Sequence, residues 1–406
     1  MLVPIPLMRY RHVAAIGHDL AVASFLKWFR ALNVRTRLTL ITDSKVVGVP
    51  RRSLPYIATG LYREDSVPHM PLSFIETVLA ANVVKCGFTS LQIKAGEVLA
   101  CDTTLHFDAL VVSTGTKPDP RFSRWIGASA VSLRDALVAR EIIENWEGEV
   151  FIFGGFEGLG AVDALEQAGF RPVLCADRDP FSEVFDDDIA AVARRLLEPL
   201  SIRVPSEPPR KQGLAFGFEV PAPPVGLELP QDLQDFKVSD NVYVMGGLAR
   251  IRTELGALTA FNDECAYKEG LVLAFRLNRL SLKLPPPCRL VKVGGYVLCA
   301  CGLTASSASK KGIDASSVKL TLKRRGKVSG VLKITASRSP PKLLGFQCVT
   351  PVDDYLSIAF LYSLLALEVT PNNLYLVPRL IGGDEVQASK ALETLWRKLA
   401  LRRLGP

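Results

Sequence analysis

The fold is decided by Arg11-His-Val-Ala-Ala-Ile16, Gly17, the stretch Leu20–Leu32 and Arg37-Leu-Thr-Leu-Ile-Thr42. A short apolar strand runs into a glycine turn, a helix follows, and a second strand closes the unit. That order is the parallel building block of a doubly wound sheet. A second copy follows: Glu149-Val-Phe-Ile152, the turn Phe153-Gly-Gly-Phe-Glu-Gly158, a helix from about Leu159 to Gln167, and Pro172-Val-Leu-Cys175. Two copies in one chain predict two such domains, one inserted in or following the other.

Between them, Phe107-Asp-Ala-Leu-Val-Val-Ser-Thr-Gly-Thr-Lys-Pro118 reads as a buried strand ending in a tight turn. Residues 204–235 are rich in proline and lack periodicity, which predicts a loop region. After Pro285-Pro-Pro287 the pattern changes to strands at Arg289–Leu298, Val318–Arg324, Val331–Ala336 and Leu343–Val349. Helices follow at 353–368 and 384–402. The expected fold class is therefore α/β: two doubly wound dinucleotide-type domains and an α+β C-terminal domain.

Composition agrees with a large folded chain. Of 406 residues, 48% are hydrophobic and 22% charged, enough apolar surface for more than one core. The net charge of +8 admits an acidic partner but names none, and specific nucleic-acid binding is not expected from it. The apolar start, Met1 to Tyr10, is broken by Pro4 and Pro6 and lacks the pattern of a signal peptide. The apolar run Leu356–Val369 is shorter than the roughly 20 residues of a membrane span. Eight cysteines form no C-x-x-C pair, and Cys299-Ala-Cys301 lacks two further ligands, so no metal set is expected. The chain reads as cytoplasmic, with reduced and mostly buried thiols.

Six places together resemble the pyridine nucleotide-disulfide oxidoreductases, in particular the CoA-disulfide reductase and NADH oxidase branch. They are the two glycine turns, Ser53-Leu-Pro-Tyr56, Asp108 to Pro118, Ser239-Asp-Asn-Val-Tyr-Val-Met-Gly-Gly247, and Cys301-Gly-Leu-Thr304 with Leu343-Leu-Gly-Phe-Gln347. The resemblance runs nearly end to end. It implies an FAD-like domain in residues 1–120 and 236–284, a shortened NAD(P)-like domain in 121–235, and a dimerisation-like domain in 285–406. It also implies FAD, NADH or NADPH as cofactors, and a homodimer or a heteromeric protein partner.

The departures from the family pattern bear on the flavin. A dinucleotide turn needs glycines so that the backbone can approach a pyrophosphate held at the helix N-terminus. Of the first turn only Gly17 survives, with Asp19 and Val22 in the other two places. A carboxylate at Asp19 obstructs a phosphate and can cap the helix with its own charge. Asp43, with Thr42 as the alternative, stands where the family's ribose-binding acid belongs, and is equally a turn residue. The stretch Lys45–Tyr56 has Arg52, followed by Ser53, where relatives carry a redox cysteine; neither forms a thiolate. Thr114 and Gly115 match the family's Ala-Thr-Gly turn. In the second turn Gly155 and Gly158 are kept, Phe153 replaces the first glycine, and Asp177 (or Ala176) takes the ribose position, with Arg178 beside it. Phe185 reads as a core aromatic. In the closing flavin motif, Gly246 is followed by Gly247 where the family has an aspartate, losing a hydrogen bond of roughly 1.5–3 kcal/mol. Tyr375, in the loosely matching Asn373–Arg379, reads as core or interface.

No catalytic residue is assigned. The departures at Asp19 and Gly247 weaken the same ligand, so the expected function is a non-catalytic or weakly flavin-binding subunit. The alternative is an FAD- and NAD(P)H-dependent oxidoreductase lacking the redox cysteine, with oxygen, a quinone or another small molecule as acceptor.

Overall fold

A computed structural model describes residues 10–120, 126–130, 132–198, 200, 202–203, 213–217, 219–258, 263–284, 286–324, 327–370, 392 and 394–395. The elements used below are, in chain order, β1 (His12–Gly17), α1 (Leu20–Leu32), β2 (Arg37–Thr42), β3 (Asn82–Lys85) and β4 (Ala109–Ser113). Next come β5 (Glu149–Phe153), α2 (Gly158–Gln167), β6 (Arg171–Cys175), α3 (Asp187–Leu196) and β7 (Ile202–Arg203). Then follow β8 (Lys237–Ser239), β9 (Val242–Val244) and α4 (Asp263–Leu277). The C-terminal part contributes β10 (Cys288–Val293), β11 (Tyr296–Gly302), α5 (Ala305–Lys310), β12 (Ala315–Arg324), β13 (Lys327–Arg338), β14 (Pro341–Pro351) and α6 (Tyr355–Ala366).

The chain forms two compact units, residues 1–147, 214–253 and 257–285, and residues 148–213, 254–256 and 286–406. The first unit is built on a sheet of order β8-β9-β4-β1-β2-β3. Its pairs are parallel from β9 to β3, and β8 joins antiparallel. Parallel strands covered on both faces should be apolar throughout. That holds for β4, Ala-Leu-Val-Val-Ser, of which every residue is buried. The glycine that ends β1 lies in register with Ser113, which ends β4. Helix α1 starts at its N-cap Asp19 and buries Ala21, Val22, Phe25, Leu26 and Phe29.

In the second unit β5, β6 and β7 pair in parallel, and the C-terminal sheet runs β10-β11-β14-β13-β12, antiparallel throughout. The strand expected over Arg289–Leu298 is two strands. The chain turns at Gly294–Gly295, with φ of 56° and 78°, and Val293 pairs with Tyr296. Two successive left-handed residues make a two-residue hairpin turn, which glycine adopts without strain. Two short strands, Gly213–Ala215 and Glu219–Pro221, lie within the region 204–235 expected to be loop. Within the expected helix 384–402, Leu392, Thr394 and Leu395 are helical. The remainder of that helix, the first nine residues and Asn373–Arg379 with Tyr375 lie outside the described residues. Phe185 is buried edge-on against Phe156, a core role as expected.

The cysteines depart from expectation. Cys86 is disulfide-bonded to Cys101 and Cys288 to Cys301, while Cys175, Cys265, Cys299 and Cys348 are buried and form no disulfide. The pairs lie 15 and 13 residues apart in sequence, and the strands bring them together, so no short motif announced them. No helix among the described residues is long and apolar enough to cross a membrane.

Two polar hubs tie the second unit together. Arg289 on β10 grips Glu157 with Nε and Nη2 at 2.8 and 2.6 Å, reaches Glu183 at 2.8 Å, and lies over the Phe156 ring. Asp186, the N-cap of α3, accepts hydrogen bonds from Ser306 Oγ at 2.7 Å, Gln347 Nε2 at 2.8 Å and the Ala305 and Ser306 amides at 3.1 and 3.0 Å. It also pairs with Lys333 at 2.9 Å. Burial pushes its carboxyl up, but the Lys333 ammonium and the bonds from Ser306 and Gln347 outweigh burial and hold it well below its usual range. A depressed carboxyl stabilises the fold above its unfolded pKa, and that contribution is lost as pH falls below about 4. Asp186→Ala is expected to cost about 3 kcal/mol in urea denaturation at neutral pH, and to make the second unit less sensitive to acid than the parent. An unchanged urea midpoint contradicts this.

Candidate functional site

The first glycine turn is the place to build from, because α1 begins there with free N–H groups. Gly17 has φ of 138°, and a Cβ on it would collide with the Ser113 carbonyl. Gly17 therefore serves the close approach of β1 to β4. Two residues on, Asp19 accepts from the Val22 amide at 2.9 Å, and the Ala21 amide also bonds to it. These N–H groups are the ones a pyrophosphate would take. The second carboxyl oxygen meets Ser113 Oγ at 2.6 Å, and Ser113 Oγ also donates to the Met245 carbonyl at 2.9 Å.

Desolvation pushes the Asp19 carboxyl up, against the bonds from Ser113 and Val22 that pull it down. Asp19 takes the N–H groups at the start of α1 with its own carboxyl and fills the space beside them. A second carboxyl reinforces this. Glu269 on α4 is fully buried, accepts from the Gly246 amide at 2.7 Å, and its Oε1 has no hydrogen-bond partner among the described residues. Burial, together with the neighbouring Asp19, pushes Glu269 up to about 8, although the Gly246 amide pulls it down.

Gly246 and Gly247 close the same place. A Cβ on Gly246 would collide with Asp19 Oδ2 and Ser113 Oγ, and one on Gly247 would lie 3.1 Å from both Gly115 Cα and Thr116 Cγ2. A side chain at 247 would be tight in this packing and would need Gly115 and Thr116 to give by a few tenths of an ångström. Thr114, expected at a cofactor, donates its hydroxyl to the Ala222 carbonyl at 2.7 Å.

Around the turn lies a cavity of about 60 Å³, lined in part by His18, Asp19, Arg51, Gly115, Gly247 and Asp263. That is room for on the order of four waters, against roughly 300–1,000 Å³ for a site that takes a drug-sized ligand. Arg51 fills one side. It pairs with Glu219, donates to Thr116 Oγ1 at 3.0 Å and lies over the Phe216 ring. Asp263, at the start of α4, accepts from the Arg51 and Arg52 amides at 2.7 and 3.3 Å. Desolvation pushes its carboxyl up, with Arg52 and Arg51 pulling the other way. Arg52, expected from the sequence at the redox-cysteine position, pairs with Asp263 at 3.3 Å.

Of the residues singled out from sequence, Gly115 and Gly247 line this cavity, and Gly17 and Gly246 pack directly behind it. Asp43 lies at the end of β2, 3.4 Å from His18, whose ring stacks on Phe88. The hydrogen bond to His18 holds the Asp43 carboxyl below its ordinary value. Gly155, Gly158 and Asp177 belong to the second unit, where Asp177 is exposed at the end of β6. Glu269, Asp263 and Glu219 were missed. A single acid in a helix or beside a proline-rich loop carries no sequence signal of burial, and only packing reveals it. The residues at the first turn do not fit an FAD pyrophosphate as they stand.

No family model and no curated protein matches the chain by sequence. Solved structures do. An NAD-dependent persulfide reductase from A. fulgidus superposes with a TM-score of 0.75 at 17% identity, covering 91% of this chain and 80% of that one. The water-forming NADH oxidase from Lactobacillus brevis, bound to NADH, superposes at 0.75 with 14% identity, covering 97% of this chain and 99% of that one. The chain has the fold of the pyridine nucleotide-disulfide oxidoreductases. The reductase in the covalent putidaredoxin reductase–putidaredoxin complex shares it too, with a TM-score of 0.70 and 16% identity over 95% of this chain and 99% of that one. The resemblance read from the sequence motifs agrees with this fold.

Glu269 generates a test. Its folded pKa is raised to about 8 from an ordinary 4.5, so the stability it permits is fully present below 4.5 and is lost as pH rises toward 8. Glu269→Gln keeps an acceptor for the Gly246 amide and removes the titration. Its stability is expected to match the parent near pH 5 and to exceed it by a few kcal/mol near pH 9. Parallel pH profiles for the two proteins contradict the assignment.

Proposed function

We propose that this chain is a non-catalytic derivative of the flavoprotein reductase fold, a binding or structural subunit that keeps the scaffold without tight FAD. The observation that carries this reading is Asp19, whose carboxyl occupies the α1 N–H groups at the place a pyrophosphate would take. Gly247 adds to it, since it stands where the flavin motif has its acid and a side chain there would press on Gly115 and Thr116. The domain plan belongs to the same proposal: FAD-like segments 1–120 and 236–284, an NAD(P)-like segment 121–235, and a dimerisation-like segment 285–406. So does a homodimer or a heteromeric protein partner. A reductase of this fold has been captured covalently joined to putidaredoxin, and a protein-bound role for the present chain is in keeping with that.

A second reading rests on the other turn. Gly155 and Gly158 are kept and Asp177 is exposed, which favours a nicotinamide nucleotide, and hence an oxidoreductase without a redox cysteine. Arg178, next to it, leaves NADPH as well as NADH open.

The purified chain separates the two. It is expected to be colourless, to remain so after incubation with excess FAD and gel filtration, and to turn over neither NADH nor NADPH. A yellow protein that retains stoichiometric FAD and oxidises either nucleotide refutes the non-catalytic reading.

A further inference from the structure

Cys288 and Cys301 are register partners across β10 and β11, and Cys299 and Cys348 are partners across β11 and β14. Cross-strand partners point to the same face, as do residues i and i+2 of one strand. The four cysteines therefore share one face of the C-terminal sheet. Three of them, Cys288, Cys299 and Cys301, have sulfur atoms all within 4.8 Å of one another, while Cys348 lies on the same face outside that group and would join it by turning its side chain. Cys299 Sγ lies 3.7 Å from Cys288 Sγ and 3.5 Å from Cys301 Sγ. A zinc–sulfur bond of about 2.3 Å sets the edge of a tetrahedral thiolate site at roughly 3.8 Å.

Once reduced, the donor set is all sulfur, which selects a thiophilic cation over magnesium or calcium. Cys299 and Cys301 are 0% and 1% exposed, so the position has no room for an open catalytic ligand, while Cys288, at 9%, is the side from which an ion can enter. Closed sulfur sites are structural.

We propose that, in its reduced form, the C-terminal sheet binds one zinc ion through Cys288, Cys299 and Cys301, with Cys348 as the fourth ligand, and that the ion staples β10, β11 and β14 together. Reaching that form requires reduction of the Cys288–Cys301 bond by a dithiol. The dithiol gives up two electrons and two protons, becomes a cyclic disulfide, and leaves two cysteine thiols. Binding of Zn²⁺ by the four thiols then releases four protons to solvent.

The test uses the full chain, reduced with a dithiol under anaerobic conditions, freed of reductant, and titrated with Zn²⁺ or with Co²⁺ as a coloured substitute. One ion per chain is expected, with the charge-transfer and d–d bands of tetrahedral thiolate-bound Co²⁺. Cys299→Ser keeps the Cys288–Cys301 pair available and should fold. It is expected to weaken binding on the order of 100-fold or more. Cys348→Ser should lose the all-sulfur tetrahedral spectrum, and Cys175→Ser, a buried cysteine away from the cluster, should bind as the parent does. A folded, reduced parent that takes up no ion overturns the proposal, as does a Cys299→Ser variant that binds like the parent. A Cys348→Ser variant with an unaltered cobalt spectrum overturns the fourth ligand.

Discussion

Helix α1 must begin where β1 ends, and the N–H groups exposed there need a partner. In a dinucleotide-binding turn the ligand is that partner. Here the partner is a side chain, Asp19, which caps the helix through the Val22 amide and is held in turn by Ser113 at the end of β4. The rest of the first unit has closed around this choice. Gly246 has no space for a Cβ beside Asp19, Gly247 packs on Gly115 and Thr116, and Glu269 binds the Gly246 amide from α4. Glu269 is fully buried, and the neighbouring Asp19 adds to the push on its carboxyl toward the protonated form.

The second unit is organised differently. Its parallel strands and its C-terminal sheet are joined by charged hubs rather than by a ligand-shaped gap. Arg289 clamps the glycine turn through Glu157, and Asp186, at the N-terminal end of α3, accepts from Ser306 and Gln347. Buried ion pairs of this kind contribute through geometry and satisfied hydrogen bonds more than through net charge attraction. Glu157, at the start of α2, is thereby committed to structure at the second turn.

Most of the fold was legible. The strand-turn-helix-strand units run where the apolar segments and glycines place them, with α1 over Leu20–Leu32 and β2 over Arg37–Thr42. Register and burial were not. The Gly294–Gly295 hairpin sits inside a stretch whose apolar pattern continues across the turn, so only the paired left-handed backbone separates two strands. At the site, the departures at Asp19, Arg52 and Gly247 were readable as missing glycines, thiol and acid. The groups that fill their places come from distant segments: Glu269 and Asp263 on α4, and Glu219 after the proline-rich stretch. Chain order says nothing about such contacts, and neither does a C-x-C pair reveal that Cys288 and Cys348 are its neighbours across two strand pairs.

The most direct measurement is an experimental density map of the chain prepared in saturating FAD, read at the β1–α1 crossing. The account predicts Asp19 bonded to the Val22 amide with no diphosphate at the head of α1. A diphosphate lying there beside an unmoved Asp19 would contradict it.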